Sequence, residues 1–405
     1  MKPRVLVLSK LFWPEGSGAE LATYLVVKLL SRRFDVAIVS GTRKPEPDVL
    51  GFARYLHWSA LESKFKPAEW LRLFASGRHV RKLVERADLV YIPSLTLLPL
   101  AAGAKYLKPS VKVVVHVHNF QPIAYTALLL AGRGPGAPAD FLVEYREHGS
   151  LPRAVAAGLG YYANRAVSQL ALRCADAVIC VSKRQRDILL KYLSELRGKT
   201  AVIYNPPPPL PNLRKNLSGD PMLVYAGGSS YVKGFHVLIE FLFRVARERK
   251  CGSCSFYVVA GRGPEKPLKA LTAMLGDRLV ALDRMPRGEY LKLHERAWGL
   301  LFPSICEEPL PYAVAESTLL GTVPVASRVG GVPEIVENTP AEEYLFKPGS
   351  ASELADRVEA LVSQPRDRVL EIGAKLRERA LKLFDAEETG SRLVDLFETL
   401  LSQGG

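Results

Sequence analysis

The chain is poor in cysteine, methionine and tryptophan, with five, four and four among 405 residues. Five cysteines, an odd number, exclude a disulfide-built scaffold and suit a reducing compartment. Cys251-Gly-Ser-Cys254 is a CxxC, but the strand-like run Phe256–Ala260 follows it where a redox motif would open a helix. No second CxxC or Cys/His pair completes a zinc set, so both are read as loop cysteines. Long apolar runs are also lacking. The best candidate, Leu89–Ala104, is 16 residues long and carries Pro93 and Pro99, short of the ~20 apolar residues a membrane span needs. The opening run Arg4–Ser9 reads as a strand and not as a leader. The expectation is a cytoplasmic protein, neither membrane-spanning nor a secreted miniprotein.

An acidic excess is lacking as well. The formal charge is +14, and residues 1–210 carry 30 Lys+Arg against 15 Asp+Glu, while 211–405 carry 25 against 26. The first half therefore holds all of the net charge, which points to an anionic partner or a solubilising surface. With 48% hydrophobic residues the chain can bury a sizeable core, and its length predicts two or three domains.

Short Val/Ile/Leu-rich runs recur along the chain. They are Arg4–Ser9, Val36–Ser40, Leu89–Ile92, Val111–Val117, Ala177–Val181, Ala201–Tyr204, Leu223–Ala226, Phe256–Ala260, Leu279–Leu282, Gly299–Phe302 and Val323–Ala326. Most do not alternate, as parallel strands buried on both faces should not. Helix-length segments such as Ala19–Ser31, Ser182–Leu193, Phe235–Arg249 and Tyr312–Leu320 separate them. This is repeated βαβ, hence a doubly wound α/β fold. Asn205-Pro-Pro-Pro-Pro-Leu-Pro-Asn212 can continue neither a helix nor a central strand, and the charge asymmetry switches there. The expected organisation is a basic domain over 1–205, a proline-rich hinge over 206–221 and a second α/β domain over 222–384. A helix over 385–405, with Leu393, Phe397, Leu400 and Leu401 at helical spacing, either closes the second domain or crosses back to the first.

Four stretches carry chemistry. In the segment 303–334, Glu308 follows a strand and Glu316 lies about two turns along the next helix. Two such carboxylates can accept hydrogen bonds from hydroxyl groups on one extended ligand. Gly330-Gly331 precedes a helix start, where free N–H groups suit an anion such as a diphosphate. In Tyr225-Ala-Gly-Gly-Ser-Ser-Tyr-Val-Lys-Gly234, a Gly-rich strand-to-helix turn holding Gly227, Gly228 and Ser229 ends in Lys233, and backbone amides plus one ammonium are a phosphate-binding combination. The first loop, Phe12–Glu20, contains Gly16 and Gly18 but has Leu21 where a dinucleotide fingerprint wants a third glycine. In Val113-Val-Val-His-Val-His-Asn119, His116 and His118 are expected on opposite faces of the strand end. His118 is the nearer to the carboxyl end, where α/β folds bind ligands.

Glu308/Glu316, Gly321-Thr-Val-Pro-Val325 and Gly330-Gly331-Val-Pro-Glu334 together resemble the signature of retaining GT-B glycosyltransferases of the glycosyltransferase family 4 type. With the other three stretches the resemblance spans about residues 4–340, densely in the second half. It implies two Rossmann-like domains facing across a cleft, and a hexose moved from a nucleoside-diphosphate sugar (UDP-, GDP- or ADP-linked) to an acceptor hydroxyl without a metal or other cofactor. It implies that Lys233 binds the donor phosphates, Glu316 the ribose, and Glu308 the sugar, with His118 beside the transferred group and Gly16 and Gly18 bordering donor and acceptor. Many members have Gly-Phe-Gly after the first Glu. Here Pro309-Leu-Pro311 stands there, leaving the amides of Leu310 and Tyr312 to donate. The position five residues before the lysine is often Arg but here is Gly228, and Arg262 is the replacement considered.

Other readings are a sugar-nucleotide epimerase of the same fold, a basic nucleic-acid binder and an NAD(P) oxidoreductase. The first half lacks nucleic-acid recognition patterns, so no nucleic acid is expected. Asp-x-Asp, used by metal-dependent transferases of the other common fold, occurs nowhere. The acceptor is expected to be a glycan, lipid-linked or phosphorylated. Residues 65–86, with Trp70, Phe74, Leu83 and Val84 against Arg72, Arg78, Arg81, Lys82 and Arg86, read as a basic amphipathic helix. Such a helix either faces the core or lies on the inner, anionic face of a membrane.

Overall fold

The computed structural model describes residues 2–62, 77–248, 251–261 and 265–403. Arg262 and most of the 65–86 segment lie outside the described residues. Two wholly parallel sheets form the frame. The first contains β1 (Arg4–Ser9), β2 (Asp35–Ser40), β3 (Arg54–His57), β4 (Leu89–Ile92), β5 (Lys112–Val117), β6 (Ala177–Cys180) and β7 (Thr200–Val202), in the order β3-β2-β1-β4-β5-β6-β7. The second contains β8 (Met222–Tyr225), β9 (Ser255–Val259), β10 (Leu279–Leu282), β11 (Ala297–Phe302), β12 (Val323–Ser327) and β13 (Leu345–Phe346), in the order β10-β9-β8-β11-β12-β13. Every residue of β4, β6, β8, β11 and β12 is buried, which is why these strands read as continuous apolar runs. The molecule is α/β, with two Rossmann-like domains.

Strand order reverses beside β1/β4 in one sheet and β8/β11 in the other. At such points the loops leaving neighbouring strands diverge and open a crevice at the carboxyl ends. The loops after β1, β8 and β11 carry Gly16/Gly18, Gly227–Lys233 and Glu308, so three of the four predicted segments issue from switch points, and the fourth, with His118, follows β5 next to β4.

The helix Ala386–Ser402 packs on the first sheet. Leu393, Phe397 and Leu400 are buried there, and the Phe397 ring lies 5.8 Å from both Phe34 and Tyr91. Burying one such phenyl ring contributes ~1.5–3 kcal/mol. Arg392 donates to Val202 O at 2.7 Å, and Arg32 pairs with Glu387 at 2.7 Å. The chain thus passes between the sheets twice, at 203–221 and before Ala386.

Of the expected amphipathic helix, Gly77–Arg86 is described. Val84 is buried and Leu83 packs against the first core, while Arg81, Lys82 and Arg86 are exposed. No helix among the described residues is long and apolar enough to cross a membrane.

Candidate active site

Between the two sheets' carboxyl ends lies a cleft with two lobes. The larger, about 690 Å³, is lined by Gly16 and Gly18 from the first domain and by Gly227, Gly228, Arg287, Tyr290, Tyr312 and Glu316 from the second. The smaller, about 300 Å³, is lined by His118 and Asn205 on one side and Lys233, Glu308, Leu310 and Tyr312 on the other. Gly18 and Tyr312 border both lobes, and a Cβ on Gly18 would touch the Tyr312 ring at 3.3 Å. The first domain's opening loop therefore closes directly over the second domain's helix.

Lys233 Nζ donates to Glu308 Oε1 at 2.6 Å, across 75 residues of sequence. Glu308 Oε1 also accepts from Ser304 Oγ at 3.1 Å. The lysine side chain is 38% exposed and the carboxylate 12%. Burial pulls the ammonium's pKa down, but the charge of Glu308 outweighs it, and the pKa lies above its ordinary value. Lys233 is a fixed cation. The turn it ends needs glycine at 234, where φ is +73° and a Cβ would overlap the Pro303 carbonyl.

Glu316 is nearly buried and pairs with Arg287, whose Nε and a terminal nitrogen reach Oε1 at 2.9 and 2.5 Å. Burial raises the Glu316 pKa and the guanidinium opposes it. Arg287 also donates to Pro209 O at 3.0 Å, and Tyr312 Oη donates to Pro206 O at 2.9 Å, so the proline-rich connection is tied to the cleft wall. Arg287 was not legible as a site residue. It sits 29 residues before Glu316, and only the fold reveals the pair.

His118 follows the last residue of β5 and faces the smaller lobe. Its Nε2 is buried without a protein partner among the described residues, and burial holds the ring at a pKa of about 4. The imidazole is neutral. The expectation that His116 and His118 part to opposite faces is corrected. Residues two apart on a strand share a face, and the ring centroids are 4.3 Å apart. His116 Nδ1 instead shares a 2.6 Å hydrogen bond with Tyr91 Oη in the core.

Gly330 and Gly331 depart from the expectation that their amides are free. Gly330 N donates to Glu307 Oε2 at 2.6 Å and Gly331 N to the Glu308 carbonyl at 2.9 Å. The helix that follows, Val332–Val336, has five residues. Gly330 has φ +48°, and a Cβ there would overlap the Glu308 carbonyl. These glycines shape the Glu308 loop from behind. Ser229 is exposed at the tip of its turn.

Three acidic residues given no site role by the sequence, Glu334 of the signature among them, join the halves. Glu147 accepts from Ser230 Oγ at 2.7 Å and Val232 N at 2.9 Å, pinning the Lys233 turn to the helix Ala137–His148. Glu307 pairs with Arg184 at 2.8 Å. Glu334 accepts from the amides of Lys183 and Arg184, at 3.0 and 2.8 Å, and from Tyr204 Oη at 2.7 Å. It caps the first turn of the helix Lys183–Tyr192 from the opposite domain, where N–H groups lack intrahelical partners.

Residues 212–382 match the family model "Glycosyl transferases group 1" and residues 16–207 match "Glycosyltransferase Family 4". The α-maltose-1-phosphate synthase of Mycolicibacterium smegmatis is 26% identical over 70% of this chain and 78% of its own. The sucrose-phosphate synthase of Thermosynechococcus elongatus superposes with a TM-score of 0.74 at 18% identity, over 99% of this chain and 100% of that one. Anabaena HepE, solved in complex with UDP-glucose, superposes with a TM-score of 0.68 at 18% identity, over 98% and 99%. With its paired parallel sheets, its switch-point cleft and these matches along most of its length, the chain belongs to the group 1, family 4 glycosyltransferases of GT-B fold.

Proposed function

We propose that this glycosyltransferase is retaining and metal-independent, and that it moves a hexose from a nucleoside-diphosphate sugar to a hydroxyl of a lipid-linked or phosphorylated glycan. The observation that carries the reading is the Lys233–Glu308 pair at 2.6 Å, facing His118 across one lobe of the cleft. A leaving diphosphate needs fixed positive charge in a site that excludes water. Lys233 and the Gly227–Gly228 turn supply it, so the chain's own cation does the neutralising. Glu308 takes sugar hydroxyls, Glu316 the ribose, and Leu310 and Tyr312 flank the sugar. The neutral His118 contacts the transferred group, and Gly16 and Gly18 let the donor approach the first domain's backbone. Retention rests on the resemblance of the 308–334 segment to retaining enzymes.

UDP-glucose is the first donor to test, because Anabaena HepE is solved with it. A phosphorylated acceptor gains support from relatives named for sugar-phosphate products. The basic first half supports an anionic acceptor or surface. Incubation with UDP-glucose, a sugar-phosphate or lipid-linked glycan acceptor and EDTA, followed by NMR of the product, is the test. Release of UDP with an α-linked product is expected. A β-linked product, or dependence on divalent metal, overturns the proposal.

A further inference from the structure

The helix Leu151–Arg173 is apolar on the wrong side. Besides Tyr161 and Leu172 its buried positions are small or polar, such as Ala154, Ala157 and Gly158, while Leu151, Val155, Leu159, Tyr162 and Leu170 are 45–70% exposed. At 3.6 residues per turn these five fall within an arc of about 100°. A surface helix normally turns its polar residues to that side. Ala156, Ala163 and Ala166 are exposed as well, so the outer face from Leu151 to Leu170 is an apolar strip ~30 Å long, with exposed Arg173 beyond its end. Tyr106, 87% exposed, lies on the helix Pro99–Leu107 that packs beside it.

We propose that this face lies on an anionic lipid surface. The charge decides among occupants. The helix contains no Asp or Glu, and its charged residues are Arg153, Arg165 and Arg173. It sits in the half that carries 30 Lys+Arg against 15 Asp+Glu. Anionic headgroups complement that balance, with apolar side chains entering the acyl boundary and tyrosines at the headgroup level. Arg153 is paired with Glu144 of the neighbouring helix at 2.7 Å, so exposed Arg173 and the cationic surplus of the surrounding half supply the attraction. A second copy of the chain would oppose one basic half to another.

The inner side of the same helix supports the cleft. Asn164 Nδ2 donates to Gln121 O at 2.7 Å, and Gly160 gives room to the Tyr125 ring, where a Cβ would overlap it. Both contacts hold the loop that follows His118. Docking would therefore set the lipid surface one helix away from the loop that follows His118. This deepens the lipid-linked alternative of the proposed function and rests on it for its purpose, but not for its measurement.

The test is co-sedimentation of the full chain with vesicles of equal parts phosphatidylcholine and phosphatidylglycerol, at ~0.15 M salt. Vesicles of phosphatidylcholine alone are the comparison. The wild type should sediment with the anionic vesicles. The double variant Leu159→Glu, Tyr162→Glu should bind them about tenfold more weakly or worse, with an unchanged melting profile. Met274→Glu, at an exposed apolar position in the second domain, should bind as the wild type does. Equal binding by the double variant, or no binding by the wild type, overturns the proposal. So does a dimer, seen by light scattering, that the double variant splits while vesicles bind neither protein. UDP titration of the same samples separates the readings. In the wild type, absent vesicle binding with intact UDP binding sinks the docking alone, and vesicle binding without UDP binding sinks the donor site alone.

Discussion

Replacing Glu308 with glutamine should move donor binding and transfer in opposite directions. In the free protein the Lys233 ammonium is held at 2.6 Å by the Glu308 carboxylate. A diphosphate entering the cleft must compete for that cation. Glutamine keeps the volume and an oxygen for Ser304 Oγ, but removes the charge. A hydrogen bond between charged groups nets about 1.5–3 kcal/mol. Lys233 is 38% exposed, so solvent screening brings the competition to the low end, about 1–1.5 kcal/mol. UDP should therefore bind about tenfold more tightly to Glu308→Gln. Transfer should fall by about 100-fold or more, the usual consequence of removing one group that stabilises the transition state. Calorimetry with UDP and turnover of UDP-glucose measure the two effects on one preparation. Weaker UDP binding in Glu308→Gln would show that Glu308 supports the diphosphate site instead of competing with it, and the reasoning would fail.

Two further outcomes follow from the geometry. Glu334→Ala removes the cap of Lys183 and Arg184 and the partner of Tyr204, and should destabilise by about 1–3 kcal/mol in thermal or denaturant unfolding. Glu337→Ala, which breaks an exposed pair with Arg379, should cost under about 1 kcal/mol. His118, held near pKa 4, is protonated in the unfolded chain before the folded one, so stability is lost as pH falls from ~6.5 toward 4. Buried His294, near 3, adds to the same slope. His118→Asn should flatten that slope in denaturant midpoints taken across the window, and the transfer rate of the folded wild type should show no inflection near pH 6.5.

The α/β class and most strands were readable because buried parallel strands are uninterrupted apolar runs. The edge strand Arg54–His57 escaped notice. Three of its four residues are exposed or charged, and it exists through pairing with β2. The two-residue β13 gave no pattern at all. The helix Leu151–Arg173 lacks the usual 3.6-residue alternation because it is apolar on both sides. At the site, motif spacing marked Lys233, Glu308 and Glu316, while their partners and neighbours were invisible. Glu147 and Glu307 acquire their contacts only when the two domains meet, and Arg287 reaches Glu316 only when the second domain folds; no local period records a contact 83 or 123 residues away. The glycines at 330–331 were read as a helix start with amides free for an anion, but those amides are engaged by Glu307 and Glu308.

The most direct test of the donor site is calorimetric titration with UDP, GDP, ADP and NAD in EDTA, on wild type and Lys233→Ala. The account predicts about micromolar binding of one nucleoside diphosphate, weakened tenfold or more in a Lys233→Ala variant that still unfolds cooperatively. Equal binding by both proteins, or preferential binding of NAD, would contradict it.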